Sequence, residues 1–98
     1  MLTLVRTCHA CPEQYDVFSG NDKVGYLRLR HGYFRAENAA KDIVLEGNPI
    51  GDGMFTDGER DKWLRRAVAA IEADLIDGKG PEVEYEVREG EEFYASRN

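Results

Sequence analysis

Residues 24–37, VGYLRLRHGYFRAE, decide the fold of this chain, because they carry the pattern of a complete β-hairpin. The dipeptide His31-Gly32 predicts a two-residue turn, since glycine adopts positive φ freely and histidine tolerates it better than a β-branched residue does. Pairing outward from this turn places Arg30 opposite Tyr33, Leu29 opposite Phe34, Arg28 opposite Arg35, Leu27 opposite Ala36 and Tyr26 opposite Glu37. A slip of one residue would turn the arginines into the core, so the pattern favours this register.

The predicted hairpin has one apolar face and one polar face. The apolar face carries Leu27, Leu29, Phe34 and Ala36. We expect a helix to pack on it. The opposite face, which we call the Arg/Tyr face, carries Tyr26, Arg28, Arg30, Tyr33, Arg35 and Glu37. Its like-charge pair, Arg28 opposite Arg35, is unfavourable unless an anionic group offsets it.

Further strands are predicted on both sides of the hairpin, at residues 2–7, 14–19, 42–46 and 83–87. In the last of them, Val83, Tyr85 and Val87 alternate with Glu82, Glu84 and Glu86. If this acidic strand lay beside the hairpin, it would neutralise the arginines internally. Otherwise a protein partner or a phosphate-bearing ligand must do so.

One long helix is predicted downstream of a glycine-rich connection, GNPIGDGMFTDG at residues 47–58. The connection lacks the Gly-Lys-Ser/Thr ending of a P-loop and the glycine spacing of a dinucleotide site. Thr56 and Glu59 form a capping box, and Asp77-Gly78 ends the helix. The apolar stripe of the helix consists of Leu64, Ala67, Val68, Ile71 and Leu75.

Together these elements predict a single α+β domain over residues 1–98. The expected architecture is an antiparallel meander of four to five strands with one long helix packed across one face. The expected core consists of Leu4, Val17, Leu27, Leu29, Phe34, Val44, Leu64, Val68, Ile71, Leu75, Val83, Tyr85 and Val87, with Trp63 at its rim and Met54 and Phe55 tucked against it.

The charge is unevenly distributed along the chain. The net charge is -6. Residues 1–37 carry 5 basic and 4 acidic side chains, whereas residues 38–98 carry 8 basic and 15 acidic ones. Duplex DNA binding through a broad basic surface is therefore not expected. The chain has neither a secretory signal nor an apolar run of membrane-spanning length, so we expect a cytoplasmic protein with no membrane partner.

Cys8 and Cys11, with His9 between them, resemble half of a zinc site, but the sequence supplies no matching second half. The favoured interpretation of this segment is two ordinary thiols in a turn, and a zinc site and redox chemistry remain as alternatives. His31 lies at the predicted hairpin tip, where a catalytic base would be poorly positioned. We therefore expect no cofactor, no metal and no enzymatic activity.

Three segments together resemble a group of small uncharacterised proteins encoded by bacteriophages and mobile elements. They are QYDVF at residues 14–18, GYLRLRHGYFRAE at residues 25–37, and GDGMF at residues 51–55, which is followed by Asp57 and Glu59-Arg60. The resemblance covers about half the chain and includes no catalytic residues. It implies a small acidic phage protein that binds and blocks a host protein, as anti-CRISPR and other anti-defence proteins do.

The leading hypothesis is accordingly a non-enzymatic accessory protein that binds a bacterial host protein stoichiometrically. Glu82, Glu84 and Glu86 would then occupy a basic surface of that protein. The first alternative is a module that binds a nucleotide or other phosphorylated ligand. Its phosphate would be held by Arg28, Arg30 and Arg35. Its base would stack on Tyr26 or Tyr33. The second alternative is a zinc or thiol protein that uses Cys8, His9 and Cys11. Edge strands also allow a homodimer.

Overall fold

A computed structural model describes residues 1–8, 12–76 and 84–96 of the chain. Its strands are β1 (Leu2–Cys8), β2 (Glu13–Ser19), β3 (Asp22–Arg30), β4 (Tyr33–Asn38), β5 (Ile43–Gly47) and β6 (Tyr85–Glu89). Its helices are α1 (Asp57–Ile76) and α2 (Gly90–Ala95). The radius of gyration is 12.7 Å. A compact domain of this length is expected at about 13 Å.

The six strands form one sheet in the order β5-β4-β3-β2-β1-β6. Strands β1 to β5 form an antiparallel meander, while β6 pairs with β1 in parallel. The predicted α+β class, with a long helix on a mostly antiparallel sheet, is confirmed. All six strand segments indicated by the sequence belong to the sheet, which therefore exceeds the predicted meander of four to five strands, and the additional strand is β6 beside β1.

The predicted hairpin register is confirmed in all five pairs between β3 and β4. His31 and Gly32 both have positive φ, at 54° and 71°. Positive φ at both central residues is the requirement of a type I′ turn, whose twist matches that of the flanking strands.

The main core lies between α1 and one face of the sheet. Leu64, Ala67, Val68 and Ile71 of the helix are buried against the apolar face of the hairpin. Trp63 packs at the rim, as predicted, with its ring edge-on to Phe34 at a centroid distance of 5.8 Å.

Three core predictions were wrong and one is untested. Leu75 is 47% exposed and Val87 is 44% exposed. Leu75 belongs to the last two turns of α1, and Val87 lies on an edge strand, whereas α1 packs over β3, β4 and β5. Met54 is 38% exposed, while its neighbour Phe55 is buried as expected. Val83 lies outside the described residues.

The second face of the sheet is covered only in part. Phe93 of α2 packs on Val5 and Phe18, with the Phe18 and Phe93 ring centroids 4.9 Å apart. Helix α2 contacts β1 and β6. Within the described residues, the β3–β4 part of this face has no helix over it, and this is where the Arg/Tyr face lies. None of the described helices is long and apolar enough to cross a membrane.

Candidate anion-binding face

The Arg/Tyr face is assembled by strand alternation on the two arms of the hairpin. Strand β3 supplies Tyr26, Arg28 and Arg30, and β4 supplies Tyr33 and Arg35. Side chains two residues apart point to the same side of a strand, so all five share one face. The register places Arg28 directly opposite Arg35, as the sequence predicted.

Two cavities open on this face, and Arg35 lines both of them. The first, which we call the turn pocket, has a volume of about 380 Å³ and is lined by Arg28, Arg30, His31, Tyr33 and Arg35. The second, which we call the lysine pocket, has a volume of about 720 Å³. It is lined by Lys23, Gly25, Tyr26, Arg35, Glu37, Asn38, Ala39 and Lys41. Both volumes are typical of small-molecule sites.

Each pocket combines one tyrosine ring with cationic side chains. Tyr33 lies in the turn pocket and Tyr26 in the lysine pocket. The Tyr26 hydroxyl donates a hydrogen bond to Oε1 of Gln14, and burial, the largest effect, raises the pKa of Tyr26. The Tyr33 hydroxyl donates to Oε1 of Glu46 at 2.8 Å, which raises the pKa of Tyr33. Both rings are therefore uncharged at neutral pH and present no anion to a phosphate.

The cations of the face are neutralised unequally. Arg35 Nε lies 2.5 Å from Oε2 of Glu37, two residues along the same strand. Lys23 Nζ lies 3.1 Å from Oδ1 of Asp16. In contrast, Nε of Arg28 is buried and finds no hydrogen-bond partner in the part of the chain that the structure describes. Of the pair Arg28–Arg35, Arg35 is therefore the member with an ion-pair partner among the described residues.

The acidic strand does not lie beside the hairpin, which corrects one of the alternatives considered from the sequence. Strands β2 and β1 separate β3 from β6. At the usual strand spacing, β3 and β6 are about 14 Å apart. Glu86 of β6 instead accepts a hydrogen bond from Oγ1 of Thr3 at 3.0 Å, and Glu84 is exposed. Glu82 lies outside the described residues.

The hairpin turn is held in place by the glycine-rich connection. The Gly32 amide donates to the Asp52 carbonyl at 2.6 Å, and Nδ2 of Asn48 donates to the Gly32 carbonyl at 3.1 Å. Two glycines of this segment allow close packing within the connection and against α1, since a Cβ at Gly47 would lie 2.5 Å from the Trp63 ring. Among them, Gly51 has no room for a side chain, because a Cβ there would lie 1.8 Å from the Met54 carbonyl oxygen.

The connection is in turn anchored by Glu59, one of two carboxylates that are buried among the described residues. Glu59 accepts hydrogen bonds from the backbone amides of Ile50 and Gly51, both at 2.8 Å, and of Thr56 at 3.0 Å. Burial alone would raise the pKa of Glu59, but these three amides outweigh it and lower the pKa to about 2. The half of the predicted capping box in which Glu59 reaches back to the Thr56 amide is present, and the same carboxylate also holds the preceding loop.

The second buried carboxylate is Glu13, which the sequence analysis missed. Its side chain accepts hydrogen bonds from the Tyr15 hydroxyl at 2.5 Å, from the Phe55 amide at 3.0 Å and from Nε of Arg60 at 3.0 Å. Burial disfavours its ionisation, yet the bonds from Arg60, Tyr15 and Phe55 lower its pKa. The available signal was weak, since Glu13 stands two residues before Tyr15 in a strand with an apolar face.

The zinc and thiol hypothesis concerns a segment of which Cys8 alone belongs to the described residues. Cys8 is a half-buried free thiol at the end of β1, while His9 and Cys11 lie outside the described residues. Among the residues that are described, no group of three or more His, Cys, Asp or Glu side chains is placed to hold a metal ion.

Comparisons of the chain with protein-family models, with curated proteins and with solved structures find no match. Its described surface offers a cationic, tyrosine-bearing sheet face on a hairpin that the glycine-rich connection holds in place. Guanidinium groups bind phosphate oxygens bidentately, and tyrosine rings stack on planar bases. The arrangement is therefore suited to holding an anionic ligand.

Proposed function

We propose that this chain is a non-enzymatic, cytoplasmic binding protein that holds a phosphorylated ligand of the nucleotide type on the Arg/Tyr face. The observation that carries this proposal is the state of Arg28, whose buried Nε has no hydrogen-bond partner among the described residues. A buried donor left unpaired costs about 1–3 kcal/mol, and a turn of the Arg28 guanidinium into the turn pocket, where a phosphate oxygen could accept from it, would remove that cost.

The like-charge pair supports the same ligand class. Arg28 and Arg35 face each other across β3 and β4. A phosphate between the two guanidinium groups would turn their repulsion into two charge-assisted contacts. Tyr33 lies in the same pocket and provides the flat surface on which a base would stack.

The test is equilibrium binding of a base-labelled fluorescent nucleoside triphosphate to the wild-type protein and to two variants. The double variant Arg28→Ala/Arg35→Ala should weaken binding at least about tenfold, since it removes both phosphate contacts. Arg88→Ala is the matched control, because Arg88 pairs with Val5 on the same side of the sheet but outside both pockets. Equal affinities of the double variant and the wild type would overturn the proposal.

A second candidate function is stoichiometric binding to a bacterial host protein, the leading hypothesis from the sequence. What supports it is the edge strand β6, where Glu84, Glu86 and Val87 are all exposed. An exposed edge with acidic side chains suits a basic protein surface. The resemblance to phage-encoded proteins points the same way.

Its test is phage plating on a bacterium that carries an active CRISPR defence and expresses the chain. The wild type should raise plating efficiency, and the variant Glu82→Lys/Glu84→Lys/Glu86→Lys should not, although it remains folded. Efficiency equal to that of an empty vector for the wild type, or full activity of the variant, would contradict this candidate.

A further inference from the structure

We propose that the ligand of the Arg/Tyr face is single-stranded nucleic acid, laid along β3 and β4 across both pockets. This proposal rests on the proposed function and deepens it by naming the ligand class. It follows from the continuity of the two pockets, from the repetition of their chemistry and from the placement of the acidic residues.

The turn pocket and the lysine pocket adjoin at Arg35, which lines both of them. Along β3, the basic side chains extend from Lys23 at one end to Arg30 at the other. At about 3.3 Å per residue this distance is roughly 23 Å. A mononucleotide fills one pocket only, whereas a strand with a phosphate every 3.4 Å or more would need about four to seven nucleotides to cover the face.

The two pockets repeat the same chemistry. Tyr33 lies beside Arg28 and Arg30 in the turn pocket, and Tyr26 lies beside Lys23 in the lysine pocket. The Lys23 ammonium is 5.8 Å from the centroid of the Tyr26 ring. A cation beside an aromatic plane, repeated along a groove, is how proteins hold successive nucleotides of an unpaired strand. An acidic peptide would use the cations but would leave both tyrosines without a role.

Duplex nucleic acid fits this surface poorly. Bases in a duplex are already stacked on one another, so neither tyrosine would find a free base plane. A duplex, which is wider than a single strand, would also come nearer to acidic residues beyond the hairpin, such as Glu86 on β6. With a net charge of -6, the chain has no broad basic surface to offset that repulsion.

The test is fluorescence anisotropy with labelled oligothymidylates from about two to twelve nucleotides long, at a fixed low salt concentration. Affinity should rise with length and level off near about seven nucleotides, where the face is covered. An otherwise equivalent blunt duplex should bind at least about tenfold more weakly. The variant Lys23→Ala/Lys41→Ala should reduce the affinity for the longest strand by about fivefold or more, whereas Arg88→Ala should leave it unchanged.

The outcomes separate this inference from the proposed function. If a mononucleotide binds as tightly as the longest strand, the inference is wrong and the proposed function stands. A duplex that binds as well as the single strand also overturns it. If neither strands nor mononucleotides bind, both proposals fail together. Circular dichroism of each variant distinguishes lost binding from lost folding.

Discussion

Oε2 of Glu13 lies 3.0 Å from Nε of Arg60, and this ion pair joins residues 47 positions apart in the chain. It links the start of β2 to the first turn of α1. The Glu13 side chain is fully buried and that of Arg60 is 26% exposed. Arg60 also donates to the Phe55 carbonyl at 3.1 Å, so the pair closes the glycine-rich connection against the sheet.

Replacing Glu13 by Gln should therefore destabilise the protein by about 1–3 kcal/mol, because the Arg60 guanidinium loses its buried counter-charge. The matched control is Asp57→Asn, which removes the other carboxylate bonded to Arg60, at 2.9 Å but fully exposed. Its cost should be much smaller than that of Glu13→Gln, because an ion pair with a fully exposed carboxylate contributes little to stability. Urea unfolding of both variants measures the difference in the free energy of unfolding. Equal losses of stability would show that the buried Glu13–Arg60 pair contributes no more than the exposed Asp57–Arg60 pair.

Acid should weaken the protein through Glu59. Its pKa in the folded state is about 2, lowered from an ordinary value of 4.5. A carboxylate with a lowered folded-state pKa adds stability above its unfolded-state pKa and loses it as the pH falls toward the folded-state value. The stabilising contribution of Glu59 should thus be complete above about pH 5 and should vanish between pH 4.5 and about 2.

The measurement for Glu59 is the free energy of unfolding of the wild type and of Glu59→Gln, at neutral pH and near pH 3. The variant should be less stable at neutral pH by about 1–3 kcal/mol, since a neutral amide accepts fewer hydrogen bonds from the three backbone amides. The gap between the two proteins should narrow in acid. A gap that stays constant with pH would contradict the assigned role of the carboxylate charge.

Close packing at Gly51 gives a stability test of the glycine-rich connection. A Cβ at Gly51 would lie 1.8 Å from the Met54 carbonyl oxygen, whereas a Cβ at Gly58 would meet nothing within 4 Å. Gly51→Ala should therefore destabilise by about 1–3 kcal/mol. Gly58→Ala, in the first turn of α1, should be neutral or stabilising by up to about 1 kcal/mol. Thermal unfolding of both variants measures the difference. A melting temperature of Gly51→Ala equal to that of the wild type would contradict the close packing at Gly51.

The residue pairs between β3 and β4 could be predicted because nearby residues in the sequence specify them. A turn dipeptide and two-residue alternation specify the register, and a slip would bury arginine. The capping box of α1 is local in the same way. From these local features the sequence predicts that Tyr26, Arg28, Arg30, Tyr33 and Arg35 share one face, and the register of β3 and β4 agrees.

The place of β6 in the sheet could not be predicted, because it depends on contacts between distant segments. Parallel pairing of β6 with β1 joins residues more than 80 positions apart, such as Thr3 and Glu86, and no local pattern encodes it. The alternative in which Glu84 and Glu86 flank the arginines depended on this placement. Glu13 was missed for the same reason, since its partner Arg60 is brought to it only by the complete fold.

Glu37 provides the sharpest test of the Arg/Tyr face, because its carboxylate occupies the position that an anionic ligand would contest. It lies 2.5 Å from Nε of Arg35 and lines the lysine pocket. Glu37→Gln removes a negative charge from the face and frees the guanidinium, so oligothymidylate binding should tighten by roughly threefold to tenfold.

The matched control for Glu37→Gln is Glu86→Gln, which removes an equal charge from the same side of the sheet at its far edge. Its effect should be small and should disappear at high salt, since the distance from the hairpin exceeds the screening length there. The increase in affinity caused by Glu37→Gln should persist in part at high salt, because the Arg35–Glu37 ion pair is half-buried and is screened less. Weaker binding by Glu37→Gln would mean that Glu37 orients Arg35 for the ligand, and unchanged binding would place the ligand away from Arg35.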